Sequence, residues 1–535
     1  MAGSVLISDK INAELSNHPE FKMVSAGVYQ FKNIDREVEV FALDHEGLVK
    51  PGRGSLIGKT EEKKKSSSPE LKKFPDKSIA VLPFVNMSND PEQEYFGEGI
   101  AEEILNSIAN LEDLKVAGRS SSFQFSGENV DIREIGEKLG VSTVLEGSIR
   151  KHGNRLRVNV QLISVEDGFH MWSEQYDRNV DDIFLIQDEV ALAVAEKLKV
   201  ILLEKDRARI TKSYTQNTGA YELYLKGRFY ISKRGASIPL GIQCFQQAIE
   251  MDPNFALAHA GYADATLMAA FYGFFQPVKV IYKARESAET AIKLDPALCE
   301  PYCSLGCFYT CFERNWKKGE KNFLKSIELN PKYTQAHFWY GSLYLAWAKG
   351  DFFRAETHGR IAIELEPHSA ICYSMYASIL HTAGKFKEGL DACKKSMELD
   401  PDSFICHLYT GWCNLFLKRY DEATLAFEKL IKISNNHHFA QNALIIAYCI
   451  TWKFKKARLL LNQLKERSAN EYIAYTVTAM SEAWLDNFDE AFTCLEKAYN
   501  DHDPLLVSLK YEHWVPGALK EDPRFQKFLD KIGLP

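Results

Sequence analysis

The stretch from residue 328 to residue 367, ELNPKYTQAHFWYGSLYLAWAKGDFFRAETHGRIAIELEP, decides the fold. Near each of its ends an apolar, acidic segment runs into a proline, at Pro331 and at Pro367. Proline cannot continue a helix, and it disfavours helical geometry in the residue before it. Between the prolines, two apolar segments carry the small residues Gly341 and Ala355. Small residues let two helices approach closely, so the stretch is predicted to form one helical hairpin.

The same pattern recurs on both sides of this stretch. The signatures IEMDP, IKLDP and MELDP close on Pro253, Pro296 and Pro401, and successive prolines lie 34 to 43 residues apart. One hairpin cannot bury its own apolar face, whereas a stack of hairpins can. The repeat therefore predicts an α-solenoid. Small residues recur in the predicted first helices at Ala263, Gly306, Gly341, Ala377 and Gly411, and in the second helices at Gly241, Ala284, Gly319, Ala355, Gly389 and Ala423.

This pattern resembles the tetratricopeptide repeat, which has a 34-residue period with Gly, Ala and Pro at the matching places. We predict about eight units over residues 215–504, with a capping segment at 505–535. The second unit departs from the pattern because AAFYGFFQPVKV lengthens the loop between its helices.

Residues 78–205 are predicted to form an α/β domain. SIAVLPF and LKVAG indicate strands, YFGEGIAEEILNSIANL and FLIQDEVALAVAEKLKVIL indicate helices, and DIREIGEKLG indicates a helix capped by Gly140. STVLEGSIRKHGNRLRVNVQLISV alternates around HGN, which predicts a hairpin with its turn at Gly153–Asn154. The segment resembles the TolB N-terminal-like domain. That resemblance implies a structural or interaction module without catalysis.

The first 58 residues resemble the end of the catalytic domain of class III adenylate/guanylate cyclases, chiefly in GVYQFKNIDREVEVFAL. They predict a short cyclase-like α/β remnant with a strand, a helix and two further strands. In that family, two metal-binding aspartates, a purine-recognising lysine and an asparagine–arginine pair perform the reaction. No residue of this chain matches them, so we expect no enzyme activity. Two origins remain open, a truncated descendant of a cyclase or the late part of a longer reading frame.

The segment from 59 to 77, KTEEKKKSSSPELKKFPDK, has charge runs and few apolar residues. Such a composition cannot bury enough surface to order itself, so a disordered linker is predicted.

Composition excludes several classes of protein. The 535 residues include 65 basic and 72 acidic ones, a formal charge of −7, which gives no reason to expect nucleic-acid binding. No apolar run reaches the length of a membrane span and no export signal is visible, so a cytoplasmic location is expected. All 11 cysteines follow residue 243, and we expect free, buried thiols. GRGSLIGKT misses the spacing of a phosphate-binding loop, and no histidine, cysteine or carboxylate cluster has metal-ligand spacing, so neither cofactor nor metal is predicted. His437 and His438 are expected to face solvent.

The concave groove of a tetratricopeptide array is lined mainly by the first helix of each hairpin. Counting from the small residue of each first helix predicts a peptide-binding groove that is aromatic and aliphatic, with few charges. This composition suits a hydrophobic or amphipathic peptide. The predicted groove residues are Cys303, Cys307, Phe338, Ser342, Leu345, Ser374, Ser378, His381, Leu408, Trp412, Leu415 and Phe416.

Together these patterns predict a non-catalytic scaffold protein of bacterial signalling that binds a partner protein through the repeat groove. The alternative is the regulatory C-terminal part of a class III nucleotide cyclase whose catalytic residues this chain lacks. The identity of the partner, any ligand of the α/β domain and the oligomeric state are not indicated by the sequence.

Overall fold

The structure is a computed structural model and describes residues 5–8, 10, 11, 15, 18, 22–30, 38–44, 48, 61, 62, 75, 77–88, 90, 93–109, 111, 113–125 and 131–535. The chain forms two compact units, Met1–Phe74 and Pro75–Pro535. Each unit is described by itself below.

The first unit contains an antiparallel sheet of four strands in the order β1-β3-β2-β4. The strands are β1 Leu6–Ser8, β2 Lys22–Gln30, β3 Val38–Asp44 and β4 Glu61–Glu62. Burial alternates along strand β3: Val38, Val40 and Ala42 are buried, and the residues between them are partly exposed. Strand β4 belongs to the segment predicted as a linker, of which the structure otherwise describes only Pro75 and Lys77. GRGSLIGKT lies outside the described residues, and the likeness to a cyclase tail stays a prediction.

The second unit begins with an α/β region. Its sheet has the order β10-β9-β8-β5-β7, and β6 pairs with β8. Strand β5 lies between β8 and β7 and is parallel to both, while β8, β9 and β10 form an antiparallel meander. Helix α1 packs on α4 beside this sheet. The elements are β5 Ser78–Val81, β6 Val85–Asn86, α1 Glu94–Ala109, β7 Lys115–Val116, α2 Arg119–Phe123, α3 Ile132–Leu139, β8 Thr143–His152, β9 Arg155–Ser164, β10 His170–Asn179, α4 Ile183–Lys197 and α5 Glu204–Ile210.

Local signals in this region are confirmed. Gly140 ends α3 in the left-handed conformation, with φ of 68°, and its N–H donates to the carbonyl of Gly136. His152 pairs with Arg155, so the hairpin turn is at Gly153–Asn154 as predicted. Strand β10 was not predicted. It is an edge strand, and of its ten residues only Tyr176 is buried, so its apolar alternation is weak.

Residues 218–500 form eight antiparallel helix pairs, numbered here in chain order. The first helices of pairs 3 and 4 end in wider turns of the π type, Phe308–Phe312 and Tyr340–Lys349. The pairs are Thr218–Lys233 with Ile238–Met251, Ala256–Phe271 with Pro277–Leu294, Glu300–Cys307 with Trp316–Leu329, Thr334–Trp339 with Phe352–Leu365, Ala370–Thr382 with Phe386–Leu399, Phe404–Phe416 with Tyr420–Ile433, His438–Ile450 with Phe454–Arg467, and Tyr475–Ala483 with Phe488–Asn500.

The small residues of the first helices act as the sequence predicts. A Cβ atom on Gly306 would lie 2.6 Å from the ring of Phe323, and one on Gly411 would collide with the ring of Phe427. Both rings belong to the second helix of the same pair and are fully buried. The absence of a side chain on the first helix therefore lets an aromatic ring of the second helix fill the interface.

The α/β region and the start of the array share one hydrophobic core. Ile79 and Ile100 belong to the same buried cluster as Tyr221 and Phe245 of pair 1. The shared interface also holds Glu102, which is buried and forms ion pairs with Arg119 (2.8 Å) and with Arg228 of pair 1. Apolar packing and a buried ion triad thus fix the α/β region against the first helix pair.

After pair 8 the chain turns back and lies against the earlier pairs. We call residues 501–516 the return segment; it contains a 3-10 turn at Pro504–Ser508. Helices α6 Gly517–Glu521 and α7 Pro523–Ile532 follow it. Phe525, Phe528 and Ile532 pack on Ala479 and Leu495 of pair 8 and so cover the open end of the array.

Candidate partner-binding cleft

The twelve predicted groove residues lie on the first helices of pairs 3 to 6 or on their π-type continuations. Ten of them are buried, and only Leu408 and Phe416 are partly exposed. Ser342 donates to the carbonyl of Phe338 (2.7 Å) and Ser374 shares a hydrogen bond with Ser396 (2.8 Å), so both hydroxyls are used within the array. These positions therefore line an interior rather than an open groove.

The return segment covers much of this interior. Val507, fully buried, belongs to one hydrophobic cluster with Cys303, Cys307 and Leu345. His502 Nδ1 lies 2.9 Å from the carbonyl oxygen of Phe312. The chain's own C-terminal part thus packs against several of the predicted groove residues, and peptide binding by them stays a prediction.

His381 is the polar centre of this interface. Its Nε2 lies 3.2 Å from Glu512 of the return segment, and Thr382 Oγ1 donates to the same carboxylate at 2.8 Å. Rings of Trp412, Phe416 and His513 surround His381 at centroid distances of 5.6 to 6.5 Å. The structure therefore brings His381, Trp412 and Phe416 together as predicted neighbours, but around a residue of the same chain.

An apolar cavity of about 120 Å³ remains between the array and the return segment. Four predicted groove residues, Cys307, Ser378, Leu408 and Trp412, line it. Leu505, Ser508 and Trp514 of the return segment close another side; the remaining lining residues are Arg234, Leu267, Met268, Phe271, Tyr272, Trp339, Leu343, Trp347, Met375, Phe404, Ile405, Tyr409, Phe439, Asn442 and Val477. We call this space the apolar cavity.

A larger cleft of about 1080 Å³ adjoins the apolar cavity. Three parts of the chain form it: helix α2 with Gln124, the turns within pairs 1 and 2, and the loops that connect pairs 4 to 8. We call it the cleft. Its charged lining residues are Arg119, Lys233, Arg234, Asp400, Asp402, Arg467 and Glu471, so cations and carboxylates are mixed.

The lengthened turn of pair 2 builds one wall of the cleft. The carbonyl oxygen of Tyr272 lies 2.8 Å from His437 Nε2, and Gly273, with φ of 73°, lies directly against the ring of His438. A side chain at Gly273 would collide with that ring. The inserted residues noted in the sequence thus bridge pair 2 to pair 7 across the array.

The expectation that His437 and His438 face solvent is wrong. His438 is 4% exposed, and its Nε2 has no hydrogen-bond partner among the described residues. Burial holds the pKa of His438 well below its usual value and lowers that of His437 to about 4. Both rings are therefore neutral near pH 7 and act as packing groups. The AAFYGFF insertion was the sequence signal for this contact.

The cysteines in this region are enclosed by the surrounding helices. All 11 cysteines are free and buried, as expected. Burial raises the pKa of Cys303 well above its usual value and that of Cys413 to about 12. Cys303 and Cys413 are therefore thiols rather than thiolates near pH 7, and thiols are poor nucleophiles and poor metal ligands. Within the described part of the chain, no group of three histidine, cysteine or acidic residues converges as a metal site would require.

None of the helices that the structure describes has the length and apolar character needed to cross a membrane.

The α/β region matches a family profile described as the second domain of HilA/YgeH-like transcriptional regulators, over residues 75–192. The likeness to TolB stays a prediction. The protein named "Putative adenylate cyclase 3" of Rhizobium meliloti (strain 1021) is 36% identical over 259 residues, which is 48% of this chain and 42% of that protein. The transcriptional regulator HilA of Salmonella typhimurium is 20% identical over 396 residues, 71% of this chain and 62% of HilA. The chain thus spans less than two thirds of either relative.

Among solved structures, the chain resembles YrrB, described as a TPR protein with an unusual peptide-binding site. The sequence identity is 18%, the TM-score is 0.25, and the match covers 37% of this chain and 96% of YrrB. At that score the likeness carries no further argument.

Proposed function

We propose that this chain is a non-catalytic interaction protein of bacterial signalling, and that it binds an extended segment of a partner protein in the cleft. The observation that carries the proposal is the cleft itself, because about 1080 Å³ of space lies between three separate parts of one compact unit. Concave sites of this size, bounded by several elements, are the usual places of ligand binding.

The position of the return segment favours the cleft over the groove that the sequence suggests. A peptide entering the groove would have to displace Val507 and Glu512, both buried. The cleft offers exposed surface instead, for example at Asp402, whose side chain is 75% exposed, and at Asn470.

The mixed charges of the cleft indicate what the partner segment carries. Lys233 of pair 1 and Asp402 of the loop before pair 6 both line the cleft, and both are exposed. Complementary charges steer association and fix register more than they add affinity. The partner segment is therefore a polar peptide with both signs of charge, anchored by apolar contacts with Phe274 and Ile371.

The relatives support a regulatory setting. The matched family profile belongs to a transcriptional regulator, and the matched part of this chain forms the wall of the cleft that carries Arg119 and Phe123. A binding role in a signalling assembly is consistent with the regulator HilA, which matches over 71% of the chain.

The test compares substitutions at two exposed alanines, each of which lies in a turn between helices. Ala236 lines the cleft, whereas Ala297 lies in the turn before pair 3, outside it. A partner is first captured from the host with the full chain by cross-linking, and its bound segment is mapped. Ala236→Trp should then weaken binding of that segment at least tenfold, and Ala297→Trp should leave it unchanged. Equal binding by the two variants would remove the cleft from the proposal.

A second candidate is the regulatory part of a class III nucleotide cyclase. The 36% identity to the cyclase-named Rhizobium protein favours it. The test reads the DNA upstream of Met1 in frame and assays cyclic nucleotide formation by any longer product. A longer frame with the two aspartates and a measurable activity would support the candidate, and an in-frame stop codon beside a ribosome-binding site would exclude it.

A further inference from the structure

The apolar cavity lies at the floor of the cleft. Four residues, Arg234, Tyr272, Phe404 and Ile405, line both spaces and thus form the boundary between them. A small molecule in the cleft would reach the cavity past these four side chains. The boundary combines three apolar or aromatic groups with a single cation.

The cavity is suited to one ring or a short branched chain. Its lining is dominated by aromatic and aliphatic groups, among them Trp339, Trp347, Trp412 and Trp514. Its volume of about 120 Å³ is close to the roughly 150 Å³ of an apolar cavity that binds benzene. Burying an apolar ring there removes it from water, which is favourable.

Arg234 is a cation without a carboxylate partner. No acidic group of the described residues lies within 4.0 Å of its guanidinium, which donates instead to the sulfur of Met268 at 3.4 Å. Arg234 acts on the carboxyl group of Asp264 only through its charge, which favours a lower pKa of that group. Asp264 accepts its hydrogen bond from Gln335, at 2.7 Å. Sulfur is a weak acceptor, so most of the hydrogen-bonding capacity of Arg234 is unused.

The backbone at Arg234 is also strained. Its φ of 55° and ψ of −166° fall in a region that glycine alone occupies readily. Gly235 follows at once, with φ of 55°. The turn of pair 1 therefore holds the guanidinium at the cavity boundary against a local conformational preference.

A second polar group of the cavity lacks a partner. The indole N–H of Trp347 is buried and donates to no atom of the described residues, while its ring stacks on Phe271 at 6.0 Å. A buried donor without an acceptor is costly, and an oxygen acceptor of a ligand would satisfy it. Both unpaired groups thus call for an acceptor on an otherwise apolar molecule.

We propose that the apolar cavity binds a small apolar monocarboxylic acid, with its ring or branched chain among the tryptophans and its carboxylate on Arg234. The charges are complementary, and a guanidinium can hold a carboxylate through two parallel hydrogen bonds. This site goes beyond the proposed function, because it takes a free small molecule and not a segment of a protein.

The test titrates the full chain with benzoate and follows tryptophan fluorescence and heat of binding. Benzoate should bind saturably, and benzyl alcohol, the same ring without charge, should bind at least tenfold more weakly. Arg234→Gln should lower the affinity for benzoate at least tenfold and leave benzyl alcohol unchanged. A failure of wild-type chain to bind benzoate saturably, or equal benzoate affinity in Arg234→Gln, would overturn the proposal.

A second pair of variants guards against misfolding at Arg234. Leu408→Trp should fill the cavity and abolish binding of both probes, while Leu425→Trp, on an exposed helix face, should abolish neither. Unchanged benzoate binding by Leu408→Trp would also contradict the assignment. The Ala236→Trp variant tests the cleft alone. The cavity titrations use no partner protein, so the two proposals can fail separately.

Discussion

The concave interior and the cleft both involve helix pairs 4 to 6, yet only the interior is covered by the return segment. In the interior, Glu512 meets His381 and Thr382, and Asp503 accepts from the backbone N–H of Thr476 at 2.9 Å. The cleft is lined instead by exposed side chains, among them Asp402 and Asn470. The interior is thus covered by the chain's own return segment, whereas the cleft is open. A surface that the chain itself covers contributes to stability, and an open one is the better candidate for recognition.

The largest effect is expected from breaking the buried pair at the interior. Glu512→Ala removes the buried carboxyl group that accepts from Thr382 Oγ1 at 2.8 Å and lies 3.2 Å from His381 Nε2. The loss of a buried hydrogen-bond partner costs up to about 3 kcal/mol, and the cavity that it leaves adds to that cost. Glu521→Ala, on an exposed position of α6, is the matched control. Urea unfolding measures both free energies of unfolding. A loss below about 1 kcal/mol for Glu512→Ala would show that the return segment is only loosely held.

A smaller effect is expected from pH at Asp503. Burial raises the pKa of this carboxyl group to about 6, from an ordinary value of 3.8. Between these values the folded state binds more protons than the unfolded state, so the free energy of unfolding falls as pH rises. Asp503→Asn removes this contribution. The stability of wild type relative to the variant should fall by roughly 2–3 kcal/mol between about pH 4 and pH 7. A constant difference would contradict the raised pKa.

The smallest effect is expected at the cleft. Asn470 is exposed and lines it, so Asn470→Ala should change the free energy of unfolding by less than about 0.5 kcal/mol. The same urea titration measures it. A loss comparable to that of Glu512→Ala would mean that the cleft, too, is a structural interface, and the comparison between the two surfaces would fail.

Local patterns predicted the architecture well. The hairpin turn at Gly153, the cap at Gly140 and the close approach at Gly306 each depend on a backbone conformation or a contact between neighbours in sequence. Such constraints can be recognised from the identity of a few residues in the sequence. The coarse order of an α/β region followed by helix pairs was therefore accessible from the sequence.

The candidate site was not accessible in the same way. The groove residues lie on the first helices from which they were counted, but nothing near His381 or Phe416 indicates that His513 lies against both of them. These contacts, and that of Thr382 with Glu512, join residues about a hundred or more positions apart. The cleft likewise depends on Tyr272 reaching His437, a contact of 165 residues in separation. The periodicity of the sequence predicts each helix pair but does not indicate how the pairs curve around one another.

The return segment has a consequence for how the chain is made. Gln276 donates to Asp501 across a separation of 225 residues, and the interior around Cys303 and His381 is closed only when residues 501–516 arrive. At about 5–20 residues per second, the apolar first helices of pairs 3 to 6 wait on the order of 5–40 s during synthesis for their cover. In that interval the newly made array presents an uncovered apolar inner surface, and such surfaces make partly folded chains prone to aggregate.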